Sequence, residues 1–92
     1  MAEERILTKH PRGKSGKTIS KPKYEAVKRA MLSVLRSREL THTELTKALV
    51  AKLKGKFEGN ISWYGETVKL DLEARKTIEL TTSKPQRYRL RS

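Results

Sequence analysis

Cysteine is absent from the 92 residues, which excludes a disulfide framework, a thiolate metal site and a cysteine nucleophile. Acidic side chains are scarce, with ten Asp and Glu against 22 Lys and Arg, so the formal net charge is +12. No apolar run approaches the ~20 residues of a membrane span. The opening Met1–Leu7 lacks a charged region followed by an apolar stretch, so it does not read as a secretion signal. Of the two histidines, neither His10 nor His42 has a carboxylate at a telling interval, and neither a catalytic triad nor a metal site is suggested. There is no internal repeat and no low-complexity tract. The expectation is a cytoplasmic, non-enzymatic chain with no cofactor and no metal.

What is present is a large positive excess on a short chain. A domain of this length buries only roughly 60–65% of its unfolded surface, which leaves room for one compact core. An excess of +12 repels itself and is matched by an anionic partner such as DNA, RNA or an anionic membrane. A membrane-surface helix would need large apolar residues free of the core, and here the apolar stripes are claimed by packing. The plain alternative is a soluble basic protein with no specific partner.

Residues 1–19 read as a basic arm and residues 20–92 as the folded domain. The arm holds Pro11, Gly13 and Gly16 and no helical period, and removal of residues 1–18 is expected to leave the fold intact while weakening any nucleic-acid affinity. Ser20 offers an N-cap, with Pro22 in the first turn. Tyr24, Val27, Met31, Val34 and Leu35 then share one stripe, which predicts a first helix from Lys21 to Arg36. Arg38, Glu39 and Leu40 form a connector or short strand. Thr41 and Glu44 match the capping box and open a second helix over 42–53, closed by Gly55. A third helix starts near Asn60, capped by Asn60 or Ser62, and runs to Lys76. The period then changes to two over Thr77–Thr82 and Arg87–Arg91, with turn chemistry between. That is a β-hairpin with Ile78, Leu80, Tyr88 and Leu90 inward.

The expected core is Tyr24, Val27, Met31, Leu45, Leu49, Tyr64, Val68, Leu72, Ile78 and Leu80. Trp63 has apolar company at helical spacing and is expected to join it more readily than to serve as a stacking platform.

The order of elements, three helices followed by a C-terminal hairpin, is α+β and resembles the winged helix-turn-helix superfamily. His10, Pro11 and Gly13, the pair Trp63 and Tyr64, the run Val68–Arg75, and Pro85, Tyr88 and Leu90 resemble a family of small bacterial winged-helix proteins over nearly the whole chain. The resemblance implies a fold. Winged-helix domains mostly bind DNA, and a minority bind RNA or protein.

Charge is unevenly placed. Residues 1–23 carry seven basic and two acidic side chains, residues 24–54 seven and three, residues 55–75 three and four, and residues 76–92 five and one. The third helix is thus the one segment without a basic excess. Its solvated strip is read as Ser62, Glu66, Lys69 and Glu73, either a plain helix face with local ion pairs or a surface whose Glu accepts from a cytosine amine. On the hairpin Arg87, Arg89 and Arg91 alternate and share one face, with Lys84 at the tip. They serve either phosphates or protection of an edge strand. In the arm, Gly13–Thr18 carries the tail of a phosphate-binding loop pattern, but Pro11 stands at its first glycine and Pro22 bars an immediate helix. Arg12, Lys14 and Lys17 fit a minor-groove arm better.

The candidate nucleic-acid contacts are therefore Arg12, Lys14, Lys17, Asn60, Ser62, Lys69, Lys84, Arg87, Arg89 and Arg91, with double-stranded DNA as the expected partner. A protein-binding or RNA-associated module that uses the third helix is the alternative.

Overall fold

The computed structural model describes residues 4–13 and 15–91. Two strands come first, β1 (Arg5–Lys9) and β2 (Ser15–Ser20), followed by helices α1 (Lys21–Ser37), α2 (His42–Leu53) and α3 (Ile61–Ala74). The chain closes with β3 (Ile78–Leu80) and β4 (Tyr88–Leu90). Three helices and a C-terminal antiparallel hairpin make the α+β layout expected from the sequence.

Each helix begins where its capping chemistry places it. The Ser20 hydroxyl accepts from the Lys23 amide, and Pro22 occupies the first turn of α1. At α2 the reciprocal box is complete: the Glu44 amide donates to Thr41 Oγ1 at 3.2 Å and the Thr41 amide to Glu44 Oε1 at 2.9 Å. Asn60, rather than Ser62, caps α3, its Oδ1 accepting from the Trp63 amide at 2.9 Å. Gly55 follows α2 with φ 77°, the left-handed backbone anticipated there. Helix α3 stops two residues before the expected Lys76, because Lys76 itself turns to φ 63°.

One core joins these elements. Tyr24, Val27, Met31 and Leu35 from α1 meet Leu45, Leu49 and Leu53 from α2, Val68 and Leu72 from α3, and Ile78 and Tyr88 from the C-terminal hairpin. Tyr64 and Leu80, also expected inside, are half-buried against it. Helices α2 and α3 approach so closely that a Cβ at Gly65 would lie 3.1 Å from a Leu49 methyl. The C-terminal strands pair as Ile78 with Leu90, Glu79 with Arg89 and Leu80 with Tyr88. The connector between α1 and α2 adds a bridge on the far side of β4: the Tyr88 amide donates to the Leu40 carbonyl at 2.7 Å, and the Leu40 amide to the Tyr88 carbonyl at 3.1 Å.

The largest departure from expectation is at the N-terminus. Residues read as an arm form an antiparallel hairpin, with Arg5 opposite Ser20 and Ile6 opposite Ile19. The turn closes through the Gly13 amide onto the His10 carbonyl at 3.0 Å, Gly13 having φ 75°. A bulge falls between Leu7 and Lys9. There Thr8 is buried, its hydroxyl donating to the Lys17 carbonyl and accepting from the Lys17 amide. Gly16 sits so close that a Cβ would lie 2.0 Å from the Thr8 carbonyl oxygen, and no side chain fits that approach. Ile19 joins the core and Ile6 packs against it, while Leu7 points outward, 61% exposed. The hairpin lies along α3, where Thr8, Gly16 and Lys17 share a groove with Thr67 and Leu70. That flank of the helix is thereby partly covered.

Candidate functional site

The hairpin is tied to α3 by a buried carboxylate. Asp71 is fully inaccessible to solvent, yet both of its oxygens are well supplied with donors. The backbone amide of Lys9 donates to Oδ1 at 2.8 Å, Arg75 Nε donates to both oxygens at 2.9 and 3.0 Å, and the Tyr24 hydroxyl donates to Oδ2. Burial, and then the bond to Asp71, raise the Tyr24 phenol above its ordinary range, and the bond to Asp71 likewise raises Arg75. A buried charge with this many donors is a structural keystone. It joins β1, α1 and α3 at one point.

A second joint lies on α3 just before Asp71. Lys69, expected on a solvated strip, is 5% exposed. Its Nζ lies 2.8 Å from His42 Nδ1, 3.0 Å from Glu66 Oε2 and 4.7 Å from the centre of the Tyr88 ring. The C-terminal hairpin folds over this side of the helix, so Lys69 is enclosed by α2, α3 and β4. It is withdrawn from the candidate contacts for that reason. Trp63 moves the opposite way: expected in the core, it is 43% exposed and stands edge-on to Tyr64, ring centres 4.9 Å apart.

The remaining candidates separate into free and engaged cations. Arg12 projects from the N-terminal hairpin into a groove shared with Glu66, Glu73, Leu80 and Tyr88. Lys17 lines the neighbouring groove with Thr67. Lys84 is exposed at the tip of the C-terminal hairpin. Arg87 is half-buried beside the start of α2, where it helps, after the Thr41 amide, to lower the Glu44 carboxyl. None of these four makes an ion pair among the described residues. Arg89 differs: it donates to Glu79 at 2.6 and 2.7 Å and reaches Glu39 at 3.5 Å, and these bonds raise its guanidinium further. Arg91 stands 3.9 Å from the same Glu79. The strand register makes this pairing, and the alternation of arginines alone does not reveal it. Ser62 is exposed on the first turn of α3, and Asn60 is exposed with its oxygen used by the cap. Lys14 lies outside the described residues.

The outward strip of α3 is acidic where it shows. Glu66 is exposed, Glu73 half-buried, and Arg12 with His10 faces them across the groove. Among the described residues no group of three or more His, Asp or Glu side chains is placed to hold a metal ion, and no helix is long and apolar enough to cross a membrane.

These features define a small α+β protein in which three helices carry a hairpin at each end of the chain and free cations project from both hairpins. A family described as "Family of unknown function (DUF6958)" matches residues 5–88, and the chain belongs to it. The match begins at the first residue of β1 and so spans the N-terminal hairpin of this chain. No curated protein and no solved structure matches the chain.

Proposed function

We propose that this is a non-enzymatic, cytoplasmic nucleic-acid-binding protein of winged-helix type, holding duplex DNA through phosphate contacts from its two hairpins. The observation that carries this reading is the set of four cations that make no ion pair among the described residues, Arg12 and Lys17 on one hairpin and Lys84 and Arg87 on the other, on a chain of net charge +12. Cations gathered on the turns and strands of the two hairpins cost folding energy by mutual repulsion, and neutralisation by phosphates with release of counterions offsets it. Base reading by α3 has little support: Glu66 and Glu73 repel phosphates, Lys69 is enclosed, and β1 and β2 cover part of the helix. Grip on the backbone with weak sequence preference is the mechanism that follows.

The test is a titration of labelled duplex with the parent and with R12A/K17A/K84A/R87A. The quadruple variant is expected to bind more weakly across unrelated sequences. Its salt dependence should also be shallower, by up to about 0.9 in slope for each phosphate no longer neutralised. R89A is expected to matter less, because Glu79 already holds that guanidinium. A quadruple variant that matches the parent at every salt concentration overturns the reading.

The exposure of Trp63 in the first turn of α3, one turn before the exposed Glu66, favours a second reading, a protein partner docked on that helix. A partner whose binding is abolished by W63A and unchanged by the quadruple variant would establish it.

A further inference from the structure

A second cationic surface lies away from both hairpins. Arg29 and Ser33 on α1 face Lys52 at the end of α2 and Lys56 in the turn beyond it, across an open groove floored by Ala30 and Leu53. No acidic side chain lines this groove, and none of its three cations makes an ion pair among the described residues. The C-terminal dipole of α2 accounts for Lys52. It does nothing for Arg29, which sits in the middle of α1 and makes no ion pair with Glu25 one turn earlier. Three positive groups around one groove repel each other, and an anionic ligand removes that cost.

One further cation, Lys23, lies beyond Lys56 toward α3. Phe57, next to Lys56, packs edge-on against Tyr64 with ring centres 5.2 Å apart, and Lys23 Nζ lies 5.5 Å from the centre of the Tyr64 ring. An open groove rimmed by three cations, with Lys23 beyond it, suits an extended polyanion better than a small enclosed anion.

We propose that the groove between α1 and the end of α2, rimmed by Arg29, Lys52 and Lys56, is a second contact for the phosphate backbone of duplex DNA. This rests on the nucleic-acid reading above and extends it to a face that neither hairpin lines. One duplex gripped at this face and at the hairpins, or two duplexes held together, would both need it.

The experiment compares the parent, R29A/K52A/K56A and a charge-matched control outside both hairpins and the groove, R36A/R38A/K47A, in anisotropy titrations with a labelled duplex over a salt series. Circular dichroism melts verify that both variants fold. The groove variant is expected to lose about ten-fold or more in affinity at low salt, with a slope smaller by up to about 2.7, three phosphates at roughly 0.9 each. The control should show a clearly smaller drop. If the parent binds duplex and the groove variant binds no worse than the control, the groove assignment fails while the nucleic-acid reading stands. If the parent binds no duplex, both fail. Loss of binding to phosphatidylserine vesicles in the groove variant, with duplex binding unchanged, would assign the groove to a membrane surface and overturn the proposal.

Discussion

The Tyr24 hydroxyl donates to the buried carboxylate of Asp71, joining the first turn of α1 to the last turn of α3 across the core. Arg75 and the Lys9 amide complete the arrangement. Removing any single partner strands polar groups where water does not reach, and that sets the size of the first prediction.

Tyr24→Phe keeps the ring and deletes one charge-assisted hydrogen bond, so it should destabilise the protein by about 1–3 kcal/mol. Asp71→Ala removes the acceptor from three donors at once and should cost more, about 3 kcal/mol or above. Urea denaturation of both variants checks the order. Equal stability of Asp71→Ala and the parent would contradict the keystone role.

Truncation of residues 1–20 should damage the fold. It removes Ile19 from the core, Ile6 from its margin and the Lys9 amide from Asp71. A melt of the truncated chain is expected to be broad or shifted strongly downward. A transition as sharp and as high as that of the parent would show that this segment is a free arm after all.

Leu72, fully buried on α3 among the other helices, is the plainest test of the core. Leu72→Ala should cost about 2–5 kcal/mol, as truncations of buried leucine do. A variant that melts with the parent would contradict the packing.

Acid sensitivity should report the cap of α2. The hydrogen bond from the Thr41 amide holds the Glu44 carboxyl below its ordinary 4.5. A group depressed in the folded state contributes stability that is present above its unfolded value and is lost as pH falls through the folded one. The melting difference between the parent and Glu44→Ala should therefore be constant well above 4.5 and close as the pH falls below it. A gap that persists at the acid end would mean that the carboxylate is not the active form in the cap.

Three helices and the C-terminal hairpin are legible in the sequence because their signals are local: Ser20, Thr41 and Asn60 at the starts, apolar residues at three- and four-residue spacing, then alternation. The N-terminal hairpin is hidden by its own composition. Its inward face is Ile6, Thr8 and Ile19, and a buried threonine at a bulge breaks the alternation that marks a strand. Lys69 and Trp63 depart from expectation for one reason. Helical spacing tells which residues share a face, whereas what covers that face depends on where Tyr88 and the two hairpins come to lie. The pairing of Arg89 with Glu79 depends on strand register in the same way. Asp71 gives no signal in the sequence, being one acid between Leu70 and Leu72 on an amphipathic helix until its three donors converge on it. Arg29, Lys52 and Lys56 come from separate segments, and the groove exists only once α1 and α2 pack.

The most direct measurement of the central claim, that free cations on this surface hold phosphates, is duplex affinity of the parent across a series of salt concentrations. Four phosphates held by the hairpins predict a linear fall of log affinity with log salt, with a slope of magnitude about 3.6 or steeper. It should be similar for unrelated sequences. A slope near zero, or binding no stronger than that of a neutral protein of the same size, would contradict the account.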